Sequence, residues 1–156
     1  MMTQLQQGDV GLLEDPVAQT LLGSREVARL AYTWLDGTPR VVPIWFHWDG
    51  HAVTFGTPVS APKLKALAQD GTVAVTIDDC STWPYRALLL RGRAEVELLG
   101  DMSPEYAAAA RRYFGDEQGQ AWVSQLSGRP MARISVTPTW VAILDFETRF
   151  PSALTL

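Results

Sequence analysis

Apolar and polar positions repeat at two different periods along this chain, and each change of period marks a new element. From Val27 onward the period is two. Val27–Leu35, Val41–Trp48, Ala52–Phe55, Thr72–Ile77 and Tyr85–Leu99 read as strands rich in β-branched and aromatic residues, and so do Met131–Val136 and Thr139–Phe146 around Thr137-Pro138. Asp36-Gly37 and Asp49-Gly50 separate the first three. An Asp-Gly pair between such runs predicts a two-residue type I′ turn with φ > 0 at both central positions, and so an antiparallel meander. The helical period appears elsewhere. In Asp15–Gly23, Asp15 caps, Pro16 takes the first turn, and Val17, Leu21 and Leu22 form the buried face. Lys63–Gln69 follows, with Gly71 as its C-cap. Tyr106–Phe114 is introduced by Ser103-Pro104-Glu105 and ended by Gly115, and Glu117–Leu126 forms a further stretch.

Strands in antiparallel runs, without βαβ alternation, favour a small β-barrel of about six strands with two or three helices, a mainly β (α+β) class. Residues before Glu14 read as a mobile arm and Arg149–Leu156 as a tail, and 1–156 reads as a single domain. In the second strand, Val41, Pro43, Trp45 and His47 share one face while Val42, Ile44 and Phe46 share the other, so both faces are expected to be covered. Pro43 donates no ladder hydrogen bond and points to an edge, a bulge or an opening in the sheet. Gly92, inside Tyr85–Leu99, suits a bulge or a barrel-corner bend.

At 156 residues the chain can bury a substantial core. A net charge of −4 gives no electrostatic footprint for nucleic acid. No apolar run approaches the length of a membrane span, and the start MMTQLQQGDVG lacks the basic and apolar regions of a secretory signal, so a cytoplasmic address is expected. Cys80 is the only cysteine, which excludes an intrachain disulfide and cysteine-rich zinc sites. Beside Asp78 and Asp79 it lacks the electropositive setting of a reactive thiolate and reads as structural. Asp78 and Asp79 point to opposite faces of a strand end and make no acid–base pair. His51 follows a hairpin turn and is expected in solvent; His47 reads as a structural histidine.

One stretch carries the candidate chemistry. Phe55 leads through Gly56-Thr57-Pro58-Val59-Ser60-Ala61-Pro62 into the Lys63 helix, with Ser60 as its expected cap and Pro62 in its first turn. A helix start favours an anion, and here the Thr57 and Ser60 hydroxyls and the ammonium groups of Lys63 and Lys65 gather beside it. No Gly-rich phosphate loop or dinucleotide fingerprint is present, so an ordinary capped helix with two solvated lysines stands beside the phosphate site as a reading of these residues alone.

With those residues in view, the chain resembles the pyridoxamine 5′-phosphate oxidase-like flavoproteins, a family of FMN-binding split β-barrels. The resemblance rests on LAYTWLDGTPRVVPIWFHWDG (Leu30–Gly50), the strand ending at Thr57, the Ser60/Lys63/Leu67 helix entry, Arg91-Gly92-Arg93-Ala94, and Arg133-Ile134 through Pro138. It implies a six-stranded antiparallel split barrel and a homodimer with one cofactor in each of two interfacial grooves. By matching position, Lys63 with Ser60 and Thr57 would hold the phosphate, assisted by Lys65. The Val42-Pro43-Ile44-Trp45 backbone would lie beside the isoalloxazine, and Tyr85 and Trp83 would come from the other subunit. Many relatives carry Arg-Asn where this chain has Lys65-Ala66, and lysine cannot make arginine's bidentate grip on phosphate.

The resemblance implies a pyridoxamine 5′-phosphate oxidase-like oxidoreductase that moves a hydride to or from a small organic substrate. Its cofactor would be FMN, with a deazaflavin coenzyme and then haem as alternatives. A non-catalytic flavin- or haem-binding module on the same fold is the second reading. No catalytic acid, base or metal ligand is nominated, because a flavin supplies the hydride chemistry itself. No signature for a pyridoxamine phosphate substrate is present.

Overall fold

A computed structural model describes residues 4–151. Its strands are β1 (Ala28–Thr33), β2 (Pro39–Ile44), β3 (His47–Trp48), β4 (Val53–Pro58), β5 (Thr72–Asp79), β6 (Arg86–Leu99) and β7 (Met131–Leu144). The α-helices are α1 (Pro16–Leu22), α2 (Lys63–Gln69), α3 (Pro104–Phe114) and α4 (Asp116–Leu126). The strands form one antiparallel sheet in the order β2-β1-β5-β6-β7-β4-β3, seven strands where six were expected.

The order of the strands dictates the shape. β2 and β3 lie at opposite edges, yet only Trp45 and Phe46 separate Ile44 from His47. A flat seven-stranded sheet would hold its edges about 29 Å apart, at about 4.8 Å per strand. Three Cα–Cα steps span at most about 11 Å. The sheet must therefore curl until its edges nearly meet, and Trp45-Phe46 ties the half-barrel shut. The expected single strand Val41–Trp48 is thus two strands, and the expected meander is two separate hairpins. Phe46 turns into the barrel and is fully buried, while half-buried Trp45 turns out onto α3.

Leu30, Val75, Leu88, Leu90, Ile134 and Ile143 line the barrel interior. Leu12, Leu21 and Leu22 from the N-terminal elements join the same core. Asp15 caps α1 as expected, accepting from the Val17 N–H at 2.9 Å, but Ala18 is fully buried where Val17 is only partly so. The expected N-terminal arm is instead fastened down. Val10–Glu14 forms a 3-10 helix, the Gly8 N–H donates to the Val141 carbonyl at 2.7 Å, and the Gln7 amide pairs with both backbone groups of Ile143. Residues 1–3 of the arm and 152–156 of the tail lie outside the described residues.

The Asp-Gly turns form, but not as type I′. Gly37 and Gly50 adopt positive φ (85° and 93°) while Asp36 and Asp49 do not. Each Asp accepts backbone N–H bonds from its own loop, such as His51 and Ala52 to Asp49 at 2.8 and 2.7 Å, and these bonds support a longer loop. At Gly92 the expected irregularity is present: the β6–β7 register shifts so that Arg91 faces Trp140 and Gly92 faces Pro138. The bulge absorbs Thr139, which keeps β7 one continuous strand where two were expected. Gly71 is not a C-cap; Asp70 is, and Gly71 is placed by its carbonyl accepting from the Ala94 N–H at 2.7 Å. Ser103 caps α3 as expected, accepting from the Tyr106 N–H at 3.2 Å.

Candidate functional site

β4 delivers Thr57 to the mouth of the barrel, where it is buried and pairs with Ala132 of β7. A tight turn follows, closed by the Ala61 N–H donating to the Pro58 carbonyl at 3.0 Å. Pro62 then already has helical dihedrals (φ −57°, ψ −33°) and occupies the N-cap position itself, with no side-chain cap. Ser60 is therefore not the expected cap. Extending the helical path back to Pro62 carries Ser60 away from the first helical N–H groups, and its hydroxyl stays exposed.

Lys63 is half-buried and Lys65 exposed. Among the described residues no carboxylate pairs with Lys63. Burial alone holds its ammonium below the usual value of 10.5. A partly desolvated cation without an internal counter-ion is a site that favours an external anion.

Thr57 and Ser60 also line a cavity of about 440 Å³ between the end of β4, the start of β7 and the α3–α4 hairpin; Tyr106, Trp122, Leu126 and Arg129 form its other walls. The Trp122 indole N–H donates to the Tyr106 hydroxyl at 3.1 Å, which fixes both rings. Gly56 admits the Tyr106 ring, because a Cβ there would lie 2.6 Å from it. Tyr106 in turn sits beside Trp45 (ring centroids 5.9 Å apart), so the crossover and the cavity share one aromatic cluster. Trp45 stacks on Tyr113 at 5.0 Å and meets Phe114 edge-on at 4.9 Å. Arg112 completes the buttress, donating to the carbonyls of Ser24 and Phe46 and lying over the Phe46 ring.

The remaining expected site residues fall elsewhere. Val42, Pro43 and Ile44 lie on β2, which is an edge strand, as Pro43 implied. Val41 on its outer face is 64 % exposed, so that face is bare in a single chain and not covered as expected. Trp83 and Tyr85 form an exposed edge-to-face pair at 5.1 Å before β6. Thr57 shares its row, through Ala132, with Leu98 at the far end of that strand. Twelve residues at about 3.3 Å each put about 40 Å of strand between Arg86 and Leu98 before curvature. One chain does not bring Trp83 and Tyr85 to its own Thr57 and Ser60.

Neither histidine lines the cavity. His51 is exposed; the Nδ1 of His47 is buried without a partner, and burial, with Arg112 nearby, lowers its pKa. Asp78 pairs with Arg29 while Asp79 caps the turn at Ser81, so the two carboxylates act separately as expected. Cys80 is exposed and free, not a structural core residue. Its hydrogen bond to Asp78 and the adjacent carboxylate charges push its thiol up. Tyr106, Trp122 and Arg129 were not foreseen as site residues. They meet only because the chain reverses at Gly115 (φ 85°), and no sequence spacing encodes that reversal.

The profile of the family described as pyridoxamine 5′-phosphate oxidase matches residues 14–143, from α1 to the end of β7. The chain belongs to the pyridoxamine 5′-phosphate oxidase family. Among solved structures, one described as an F420 reductase is 26% identical, with a TM-score of 0.58 over 80% of this chain and 94% of that one. A conserved hypothetical protein from Mycobacterium tuberculosis is 19% identical, with a TM-score of 0.69 over 94% and 91%. A member from Clostridium acetobutylicum, related to general stress protein 26 and assigned to the pyridoxinephosphate oxidase family, is 16% identical, with a TM-score of 0.60 over 88% and 90%. These last two likenesses establish the fold alone. None of the curated proteins compared with the chain matches it. No helix among the described residues is long and apolar enough to cross a membrane.

Proposed function

We propose that this chain is an oxidoreductase that uses FMN or a deazaflavin coenzyme to move a hydride to or from a small organic molecule, and that it works as a homodimer. The observation that carries the reading is Lys63: a half-buried ammonium, unpaired among the described residues, at the start of the helix that follows Thr57 and Ser60, whose hydroxyls line the adjoining cavity while Lys63 does not. These groups fit a phosphate monoester. Lys63 supplies the charge, the hydroxyls supply directional donors, and exposed Lys65 adds a solvated point charge. The deazaflavin option draws on the likeness to the F420 reductase.

The rest of the cofactor would lie along β2. An edge strand leaves the backbone groups of alternate residues unpaired, so the Val42–Trp45 stretch offers donors and acceptors where a further strand is missing, and Pro43 brings no N–H of its own. A planar ring system with its own donor and acceptor edges can pair with such a strand. Trp83 and Tyr85, remote from this anchor in their own chain, would close the groove from the second copy. When bound, the flavin or deazaflavin supplies the two-electron chemistry. The protein's residues hold the phosphate, orient the ring against β2 and exclude water with aromatic groups.

Titration of the purified protein with FMN and with the deazaflavin, followed by absorbance and fluorescence, tests this reading. Lys63→Ala is expected to weaken the preferred cofactor by tenfold or more and Lys65→Ala by a few-fold at most. Affinities unchanged and equal in both variants would remove the assigned anchor. A Soret band in the isolated protein would favour a haem-binding module in place of the oxidoreductase.

A further inference from the structure

The cavity between α3, α4 and the ends of β4 and β7 has a chemistry of its own. Its walls are apolar and aromatic: Tyr106, Trp122, Leu126, Pro130 and Met131. The polar side chains that line it are Thr57, Ser60, Tyr106, Trp122 and Arg129, each able to donate although the Trp122 N–H is spent on Tyr106, and no carboxylate lines it. Arg129 stands exposed at the rim and makes no side-chain ion pair among the described residues. The Tyr106 hydroxyl accepts from Trp122, so its own hydrogen remains free to donate among the described residues. At about 440 Å³ the space holds a one- or two-ring molecule.

We infer that this cavity binds an aromatic carboxylate, with the rings against Tyr106 and Trp122 and the carboxylate accepting from Arg129. An apolar cleft with a few convergent donors and one permanent cation selects a ligand that is flat, greasy and singly anionic. A neutral aromatic leaves the guanidinium without a partner, and a polyanion finds only one fixed charge. That such a molecule is the substrate rests on the oxidoreductase reading above; that the cavity is occupied does not, because all of its walls come from one chain and, of the groups assigned to the cofactor, only the Thr57 and Ser60 hydroxyls reach it.

Isothermal titration of the cofactor-free protein with 2-naphthoate and with its neutral analogue 2-naphthamide separates the two claims. Naphthoate is expected to bind, with the amide about tenfold weaker. Arg129→Gln is expected to bring naphthoate down to the affinity of the amide and to leave the amide unchanged, since Arg129 lies on the surface and packs against nothing in the core. Leu126→Trp, which fills the cavity, is expected to abolish binding of both, with circular dichroism confirming the fold. Lys63→Ala is expected to leave naphthoate affinity intact while weakening the cofactor by tenfold or more, so failure of the cofactor reading and failure of this one give different results. Absence of naphthoate binding, equal losses of acid and amide on Arg129→Gln, or retained binding in a folded Leu126→Trp protein would each overturn the assignment.

Discussion

At the scale of single residues, Lys63 carries the most information. Its pKa is depressed by burial with no neighbouring charge to offset it, so the folded chain holds that proton more weakly than the unfolded chain does. This group alone therefore makes the cofactor-free protein more stable as the pH rises from the depressed value toward 10.5. A bound phosphate reverses the preference, because it favours the charged amine. The stabilisation conferred by a saturating phosphate-bearing cofactor is thus expected to shrink as the pH rises through the same window. Melting curves from pH 7 to 10, with and without FMN or the deazaflavin, should show that contraction in the native protein and a flat difference in Lys63→Met. A contraction of equal size in Lys63→Met would assign the effect to some other group. His47 shows how little residue type alone reveals. As one of two imidazoles it is an obvious candidate for chemistry, yet its Nδ1 is enclosed between β3 and α3 and it faces no cavity.

At the scale of elements, the bulge at Gly92 keeps the two longest strands in register. A Cβ at Gly92 would lie 2.7 Å from the Thr137 carbonyl oxygen and 3.0 Å from Val136 Cγ1, and the carbonyl is backbone within a paired strand. Gly92→Ala is expected to cost about 2 kcal/mol by overpacking, or a fall in Tm of about 4–8 °C for a chain of this size. A Tm unchanged within 1 °C would show that the bulge can slide. This element was legible because a glycine in the middle of a long strand-like run weakens the strand unless the backbone must bend or pass close to another there. The helix caps at Asp15 and Ser103 were legible for the same local reason. Local pattern failed where distant contacts decide. Trp45 and Phe46 look like the middle of a strand in sequence, and only the need to join opposite sheet edges breaks the ladder there. Ser60 has the chemistry of a cap but lies too early in the chain, because Pro62 has already entered the helix. The cavity was invisible for a related reason: Tyr106 and Trp122 are sixteen positions apart on two helices whose reversal and close approach are tertiary facts. A Cβ at Gly119 would lie 2.5 Å from the Arg111 Cα, which measures how tightly that hairpin closes.

At the scale of the whole molecule, the half-barrel has one face filled and one face bare. Inward residues such as Leu30, Val75 and Leu90 are buried, while the alternate positions Val41 and Pro43 on β2, with Ala74 on β5, are exposed. Around them the face carries the Arg29–Asp78 pair near β2 and, on β6, exposed Arg91 opposite Ala74 and over the Trp140 ring. A sheet edge and an apolar outer face left open on the same strand suit a second copy better than solvent. The proposed site needs that copy too, because Trp83 and Tyr85 cannot reach their own chain's anchor. Val41→Glu tests both requirements at once. Its side chain projects outward, so the variant is expected to keep the circular dichroism of the native fold, with Tm lowered only by the stability that association confers. A desolvated carboxylate at the contact would oppose association, and sedimentation at micromolar concentrations is expected to report a dimer for the native chain and a monomer for the variant. Cofactor affinity is expected to fall by at least tenfold with the loss of the second copy, although no residue assigned to the cofactor has been altered. A variant that stays dimeric would move the contact to another face, and a monomer with undiminished cofactor affinity would show that one chain builds the whole site.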